Sequence, residues 1–414
     1  MAFAKMAAGK AGKPERKERF LIVTTMKNEA PFMLEWIAYN RAIGYDDFLI
    51  YTNDCSDGTD AIAMRLQELG LAAHVDNNAR VAGRKGTPLS PQRAALRAAP
   101  AHERYKAADW IICSDADEFL NIRTGMTLPD LVAASGPSDA ISICWKLFGN
   151  ARRRHYEDAP IIEQFFACAP EQGFTNFRGA GLKTLFRNNG AFHRMGVHRP
   201  KVNPARAPDR ERPYAHVTWR DAGGNRVDPH EVSWRSWKGF AHTHARMHHY
   251  AIRSCDSFLV KRDRGRTNHV YLDQGREYFD AMNTNHVRDY SILRHMGGML
   301  RELHRLRSDR ILDDLHRQAV DWHRARIADI KARPDWAEFI AMVYDHAGTG
   351  VPTPAAPADA DPDADTDSDT GADTGADTGA DTDTGADTGK GAGRGAGRGA
   401  GRDAAPGLTA AAGR

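Results

Sequence analysis

Two aspartates, Asp115 and Asp117, directly follow the short apolar run of residues 110–113. Such a run is typical of a buried strand, so both carboxylates would lie where that strand ends, at one edge of a cleft. Hard divalent cations take carboxylate oxygens as ligands and commonly share them with substrate phosphates. The pair therefore predicts a site for Mn²⁺ or Mg²⁺ with a phosphorylated ligand. Capping of the next helix or turn is the alternative, and it suits one aspartate better than two.

Asp-x-Asp alone is a weak motif, and its weight comes from two earlier segments of similar character. Residues 24–29 end one apolar, β-branched run, and residues 53–58 follow another. Both segments are rich in amide, hydroxyl and carboxylate side chains. Ligands of open parallel sheets bind at the carboxyl ends of the strands, so three polar strand ends would line one cleft.

The elements that must position these residues alternate along the first 150 residues. Strands are predicted over residues 20–25, 48–53, 72–75, 110–113 and 140–145, and helices from Pro31, after Gly58, and over residues 90–106. This alternation predicts an α/β fold with a mostly parallel sheet. Residues 149–239 are irregular and predict added strands and long loops, whereas residues 288–346 return to a helical period.

The net charge of +3 hides an uneven distribution. Residues 1–350 carry 52 Lys and Arg against 42 Asp and Glu, a net charge of +10. This excess predicts anionic partners, and a solvated basic surface is the alternative. Residues 348–414 consist mainly of Ala, Asp, Thr, Gly and Pro, so we expect a disordered tail there and a flexible basic N-terminus over residues 1–17.

The five cysteines are widely spaced and form no Cys-x-x-Cys pair, as is typical of reduced thiols. No stretch approaches the about 20 apolar residues of a membrane span, and residues 1–19 lack an apolar signal-peptide core. We therefore expect a soluble cytoplasmic protein whose basic charge could also support peripheral contact with a membrane.

A family resemblance rests on residues 24–29, 53–60 and 115–119, and on later blocks at 145–149, 249–254 and 258–265. Over about residues 20–270 the sequence resembles GT-A-type glycosyltransferases, close to family 2 and its DUF23-like relatives. The resemblance implies a nucleotide-diphospho-sugar transferase domain of Rossmann-like α/β type over residues 18–275. A helical C-terminal appendage would then cover residues 276–347.

The resemblance also implies roles for individual residues of the donor site. Thr25, Asn28 and Glu29 would line the nucleoside pocket, and Asp54 would hydrogen-bond the base or the ribose. Lys85, in a Gly-flanked loop with Arg84, could reach the donor, although a solvated loop is equally compatible with the sequence.

The metal ligands follow from the same resemblance. Asp115 would lie near the ribose and the metal, and Asp117 would coordinate the metal directly. Neutral imidazole is a good metal ligand, and His249 matches the histidine that such enzymes supply from the C-terminal side of the core. His248 is the reserve candidate, and a hydrogen-bonded histidine in the core or at the surface is the alternative for both.

An inverting transferase needs a carboxylate that takes the proton of the acceptor hydroxyl. Glu163 and Asp221 are the candidates that we retain, with Asp228 and Glu231 as alternatives to Asp221. A retaining mechanism would need no such base.

The sequence thus predicts a metal-dependent hexosyltransferase-like enzyme acting on a nucleotide-diphosphate sugar and a glycan or lipid-linked acceptor, in polysaccharide biosynthesis. One alternative is a sugar-nucleotide nucleotidyltransferase, which usually carries a Gly-rich loop with a basic residue after its first strand. A basic, non-enzymatic polyanion-binding protein is another. Nucleic acid is not expected as a partner, because the aromatic-basic strand motifs of RNA-recognition domains are missing.

Overall fold

The computed structural model describes residues 16–81, 90–171, 177–206, 214–235, 240–265 and 273–347. Its strands are β1 (Phe20–Met26), β2 (Asp47–Thr52), β3 (Ala73–Asp76), β4 (Trp110–Cys113), β5 (Glu118–Ile122), β6 (Ala140–Leu147), β7 (Ala167–Cys168), β8 (Leu182–Arg187), β9 (Phe192–Arg194), β10 (Lys201–Val202), β11 (Trp219–Asp221), β12 (Ala245–His249) and β13 (Val287–Arg288). Its α-helices are α1 (Ala30–Ala42), α2 (Thr59–Glu68), α3 (Asn78–Val81), α4 (Pro91–Ala98), α5 (Glu103–Ala107), α6 (Leu128–Ser135), α7 (Ile161–Gln164), α8 (Cys255–Arg264), α9 (Arg276–Met282), α10 (Met296–Arg307), α11 (Arg310–Lys331) and α12 (Ala337–Asp345). The segments predicted to be disordered, residues 1–15 of the N-terminus and residues 348–414, lie outside the described residues.

The central sheet has the strand order β3-β2-β1-β4-β8-β6-β12-β5, and β11 pairs with β6. Strands β1, β2, β3 and β4 are mutually parallel, as are β6, β11 and β12. Because β8 is antiparallel to both β4 and β6, these two groups run in the same direction. The carboxyl ends of β1, β2, β4, β6 and β12 therefore meet at one edge of the sheet.

Apolar residues account for this arrangement. Every residue of β1 and β2 is buried, as expected for parallel strands covered on both faces. Helix α1 is buried along most of its length because it lies between the sheet and α10. Met299 and Leu306 of α10 and Leu312 of α11 belong to the same apolar core as β1 and α1. The C-terminal helices thus pack on the sheet layer, and the predicted domain boundary at residue 275 stays a prediction.

The predicted fold class, an α/β fold with a mostly parallel sheet followed by helices, is confirmed. The helical structure predicted over residues 90–106 is present, but it is divided into α4, a 3₁₀ turn over Ala99–Ala101, and α5. Pro100 explains the break, since its ring has no amide hydrogen and would clash with the preceding helical turn. Within the described ranges, no helix combines the length and apolar character needed to cross a bilayer.

Two strands near the site were not predicted, β5 and β12. Arg246 and His248 give β12 a polar sequence, yet both side chains are buried. Arg246 donates a hydrogen bond to the Trp145 carbonyl oxygen (3.2 Å), and a ring nitrogen of His248 lies 3.1 Å from the Asn121 amide nitrogen. Pairing with β5 and β6 makes this segment a strand, and these contacts give its buried polar side chains partners.

Glu35 of α1 leads to a prediction about stability and pH. Its buried carboxylate accepts hydrogen bonds from the amides of Ile161 (2.8 Å) and Ile162 (3.3 Å), which open α7. Burial raises the pKa of Glu35 to about 7, although the two amides favour the charged form. The protonated form is therefore favoured by folding, and its contribution to stability is lost as the pH rises from the ordinary pKa of the group through about 7.

We expect Glu35→Gln to raise the free energy of unfolding by about 1–3 kcal/mol at pH 8 and to change it little near pH 5. Urea unfolding at both pH values measures this difference. Glu338→Gln, which replaces an exposed glutamate in the first turn of α12, is the control and should lower stability by no more than about 1 kcal/mol, similarly at both pH values. An equal gain from Glu35→Gln at both pH values would contradict the assignment.

Candidate functional site

The ends of six parallel strands, those of β1, β2, β3, β4, β6 and β12, lie at the carboxyl edge of the sheet. Each strand end is followed by a loop that carries polar side chains, and the loop after β4 contains Asp115 and Asp117. Residues 53–58 follow β2, and residues 27–29 follow β1. The predicted meeting of these three segments at one edge follows from the observed strand directions.

Asp117 is the centre of one buried ionic group. Its Oδ2 accepts a hydrogen bond from Lys261 Nζ (2.7 Å), which also donates to the Ala251 carbonyl oxygen (2.8 Å). His249 Nε2, at the end of β12, lies 3.6 Å from Asp117 Oδ1. Burial alone would raise the pKa of Asp117, but Lys261 and His249 hold it well below the usual range. Asp117 is therefore a carboxylate at neutral pH.

Asp115 belongs to a second group. Its Oδ1 accepts a hydrogen bond from Gln92 Nε2 (2.9 Å) and its Oδ2 accepts one from Lys183 Nζ (2.9 Å). Lys183 is fully buried, and its Nζ also lies 3.4 Å from Glu118 Oε2. Burial and the neighbouring Asp115 raise the pKa of Glu118 to about 7, whereas Lys183 lowers it. Lys183 therefore acts as an internal counter-ion of this loop.

Glu29 belongs to a third group. Its carboxylate accepts a hydrogen bond from Arg253 Nη1 (2.8 Å) and another from Arg264 Nη2. Burial would raise the pKa of Glu29, but the two guanidinium groups lower it. Arg253 Nη2 also donates to the Ala116 carbonyl oxygen (3.1 Å). Glu29 thus fixes two arginines, one of which holds the loop between Asp115 and Asp117.

The loops after β1 and β2 are joined by Asn28. Its Oδ1 accepts a hydrogen bond from the Ser56 amide (2.8 Å), and its Nδ2 donates to Ser56 Oγ (3.1 Å). Asn28 and Asp54 have φ angles of 51° and 45°, and Arg253 has a φ angle of 60°. Non-glycine residues with positive φ are uncommon and concentrate at functional sites. The Asp54 side chain is 67% exposed, so its carboxylate is accessible to a ligand.

Some polar atoms at this edge are buried without a hydrogen-bond partner. They include the hydroxyl of Thr25, the side-chain oxygen of Asn53 and Nδ1 of His249, whose ring centroid lies 4.5 Å from that of Trp145. Buried polar groups are almost always paired, so an unpaired one requires an explanation. A ligand at the strand ends would supply it for Thr25 and Asn53.

A divalent cation fits Asp117 and His249 only as an incomplete shell. Their facing oxygen and nitrogen atoms are 3.6 Å apart, a gap that two metal–ligand bonds of about 2.1 Å can bridge. Both oxygens of Asp115 are already engaged by Gln92 and Lys183. Among the described residues, no group of three or more His, Cys, Asp or Glu could hold an ion. Such a cation would need further oxygen ligands from a substrate.

Of the two predicted bases, Asp221 lies away from this edge. Asp221 pairs with Ser142, five residues before the end of β6, which is roughly 16 Å from the carboxyl edge at 3.3 Å per residue. Its carboxylate accepts hydrogen bonds from the amides of Gly223, Asn225 and Ala241 and therefore builds a turn. Glu163 is exposed on α7. Lys85 lies outside the described residues.

Sequence reasoning missed three cations of the site, Arg253, Lys261 and Arg264. A usable signal was present for two of them. Lys261 and Arg264 are three residues apart in α8, a spacing that puts both side chains on one face of a helix. Their carboxylate partners are 144 and 235 residues away in the sequence, so the pairing itself depends on the fold.

Comparison with known sequences adds family information. Residues 23–217, slightly less than half of the chain, match the sequence model of Glycosyltransferase family 92. A family 92 protein of Ricinus communis is 28% identical over 123 residues, which cover 28% of this chain and 20% of that protein. A family 92 protein of Oryza sativa subsp. japonica is 29% identical over 118 residues, which cover 28% of this chain and 19% of that protein.

The matched segment thus spans about a fifth of the length of these relatives. These sequence matches confirm the expected relationship to glycosyltransferases. They do not confirm the finer assignment to family 2 and its DUF23-like relatives. Among solved structures, TarS of S. aureus in complex with UDP is 13% identical, covers 34% of this chain and 38% of its own, and gives a TM-score of 0.23. That structural likeness is too low to support an inference.

Proposed function

We propose that this protein is a glycosyltransferase of the GT-A type. It transfers a sugar from a nucleotide-diphosphate sugar to a hydroxyl group of a glycan or lipid-linked acceptor, with Mn²⁺ or Mg²⁺, in polysaccharide biosynthesis. The observation that carries the proposal is the pairing of Asp117 and His249 at the edge where β1, β2 and β4 end. Those three strand ends lie within the segment that matches family 92.

The charges of the site support a metal-dependent donor. In the three ionic groups, Arg253, Arg264, Lys183 and Lys261 face the carboxyl groups of Glu29, Asp115, Asp117 and Glu118. A nucleoside diphosphate brings several negative charges into a site whose cations already have carboxyl partners. A divalent cation that enters with the diphosphate would compensate them, and it would neutralise the charge that develops on the leaving group.

The proposal assigns the strand-end side chains to parts of the donor. The unpaired oxygens of Thr25 and Asn53 and the exposed carboxylate of Asp54 would bind the nucleoside. Asn28 holds the loop that carries Asp54. Asp115, whose side chain is one-third exposed beside buried Lys183, would face the ribose.

The metal ligands from the protein would be Asp117 and His249, and the remaining ligands would come from the diphosphate. This division agrees with the habit of Mg²⁺-type sites, which use one or two carboxylates together with substrate phosphates. Glu163 as the group that takes the acceptor proton stays a prediction. Asp221 is not retained, because its carboxylate is engaged in a turn away from the carboxyl edge.

Calorimetric titration of the protein with UDP and GDP, with and without Mn²⁺, tests the proposed function. We expect at least one of the two nucleotides to bind with a dissociation constant in the micromolar range when Mn²⁺ is present, and about tenfold or more weakly after chelation of the metal. AMP, which lacks the diphosphate, is the control and should bind weakly under both conditions. If neither diphosphate binds, the proposal is wrong.

A further inference from the structure

The ammonium group of Lys261 lies on the carboxylate that we assign to the metal. We propose that Lys261 is the resident counter-ion of Asp117 while the donor site is empty, and that it moves to the diphosphate when the donor and the cation enter together. This inference rests on the proposed function. It makes Lys261 a donor-binding residue that also prevents the metal from binding first.

The contacts of Lys261 support the first half of this proposal. Its Nζ donates to Asp117 Oδ2 at 2.7 Å and to the Ala251 carbonyl oxygen at 2.8 Å. The neighbouring oxygen of Asp117 is the one that faces His249. A divalent cation between Asp117 and His249 would therefore meet a positive charge on the same carboxylate group. Two positive charges that share one buried carboxylate repel each other strongly, so the metal alone should bind weakly.

The protein part of the metal shell gives the same result. Asp117 and His249 supply two ligands, and both oxygens of Asp115 are held by Gln92 and Lys183. Two protein ligands are too few to bind a hydrated cation against the repulsion of the Lys261 ammonium group. The diphosphate changes this balance, because it offers oxygens to the cation and negative charge to the ammonium group.

The second half of the proposal depends on where Lys261 is anchored. Its backbone lies in α8, which is fixed by the Ser254 N-cap and by the buried side chains of Phe258 and Leu259. The side chain, in contrast, is a flexible four-carbon chain that carries three donors, and Ala251 and Asp117 use two of them. The ammonium group can therefore change partners without a change in the helix.

Arg264, on the same face of α8, is held differently. It donates to Glu29 and to the Lys27 carbonyl oxygen, and it belongs to the ionic group that Arg253 completes. Lys261 is thus the cation of α8 whose only carboxylate partner, among the described residues, is the assigned metal ligand. This difference selects Lys261, and not Arg264, as the residue that changes partners.

The proposal predicts effects of opposite sign when the ammonium group is removed. Lys261→Met should strengthen Mn²⁺ binding in the absence of nucleotide about tenfold or more, because Asp117 loses its competing cation. The same substitution should weaken UDP or GDP binding at saturating Mn²⁺ about tenfold, because the diphosphate loses a charged contact. A residue that merely supports the fold would weaken both.

The experiment follows free Mn²⁺ by electron paramagnetic resonance as the full chain is titrated without nucleotide, and then measures UDP and GDP binding by calorimetry at saturating Mn²⁺. Lys261→Arg keeps the charge and should resemble the wild type. Lys106→Met, at an exposed lysine paired with Glu103, is the matched control and should leave both affinities unchanged. Lys261→Gln, which keeps a neutral donor for Asp117, replaces the methionine variant if that variant does not fold.

The outcomes separate this inference from the proposed function. Stronger nucleotide-free Mn²⁺ binding together with weaker nucleotide binding supports it. If wild-type protein binds UDP or GDP with Mn²⁺ but removal of the ammonium group leaves nucleotide-free Mn²⁺ binding unchanged or weaker, the role of Lys261 is wrong and the donor site stands. If wild-type protein binds neither nucleotide, the proposed function fails and the inference fails with it.

Discussion

Replacement of Asp117 by Asn is expected to remove metal-dependent nucleotide binding and to lower transfer at least about 10²-fold. Asn keeps the size of the side chain but removes the charge that would face the cation beside His249. The nucleotide dissociation constant measured with Mn²⁺ should then equal the value measured without it. Calorimetry gives the binding comparison, and release of UDP or GDP from a panel of nucleotide sugars gives the rate.

Asp130→Asn is the matched control for this substitution. Asp130 is exposed and caps α6 through the Thr127 hydroxyl and the amides of Met126 and Thr127. Its replacement should cost about 1 kcal/mol of stability and leave nucleotide binding unchanged. Circular dichroism of both variants verifies that they are folded. Metal-dependent binding that survives in folded Asp117→Asn would show that the ligand assignment is wrong.

Removal of Lys183 should have the largest effect on stability. Its ammonium group is fully buried between Asp115 and Glu118, at 2.9 and 3.4 Å. Lys183→Met leaves two carboxyl groups without their counter-ion, and breaking a buried pair in this way costs about 3–5 kcal/mol. Urea unfolding at pH 8, above the raised pKa of Glu118, measures the loss.

A second substitution tests the cause of that loss. Glu118→Gln in the Lys183→Met background removes one of the uncompensated charges and should restore part of the lost stability. Lys106→Met at the protein surface should change the free energy of unfolding by less than about 0.5 kcal/mol. A loss of less than 1 kcal/mol for Lys183→Met, or a double variant no more stable than the single one, would contradict the role of Lys183.

The sheet layer could be predicted from the sequence because its signals are local. The run of residues 20–25 is apolar and β-branched, and the helix after Gly58 carries Ile62 and Leu66 on one face, so each element can be identified without its partners. The same logic places Asp115 and Asp117 at a strand end. For β12 this reasoning failed, because Arg246 and His248 are buried through contacts with Trp145 and Asn121 that no local pattern reveals.

At the site, too, contacts between residues far apart in the sequence could not be predicted. Asp117 could be selected from its position after β4, but its contact with Lys261 joins residues 144 positions apart. Glu29 was predicted to line the nucleoside pocket, yet the fold brings Arg253 and Arg264 against its carboxylate. Sequence reasoning identified the acidic half of each ionic group. The pairing of these acidic groups with Lys183 of β8, with Arg253 and with the cations of α8 became visible only in the fold.

The most direct test of the donor site is an anomalous difference map from crystals grown with Mn²⁺ and UDP or GDP. We expect a manganese peak in contact with Asp117 and His249, with the diphosphate as its remaining ligand source and the nucleoside against Thr25 and Asp54. Lys261 Nζ should then contact a phosphate oxygen. A nucleotide bound at another part of the sheet, or manganese bound away from Asp117, would contradict the account.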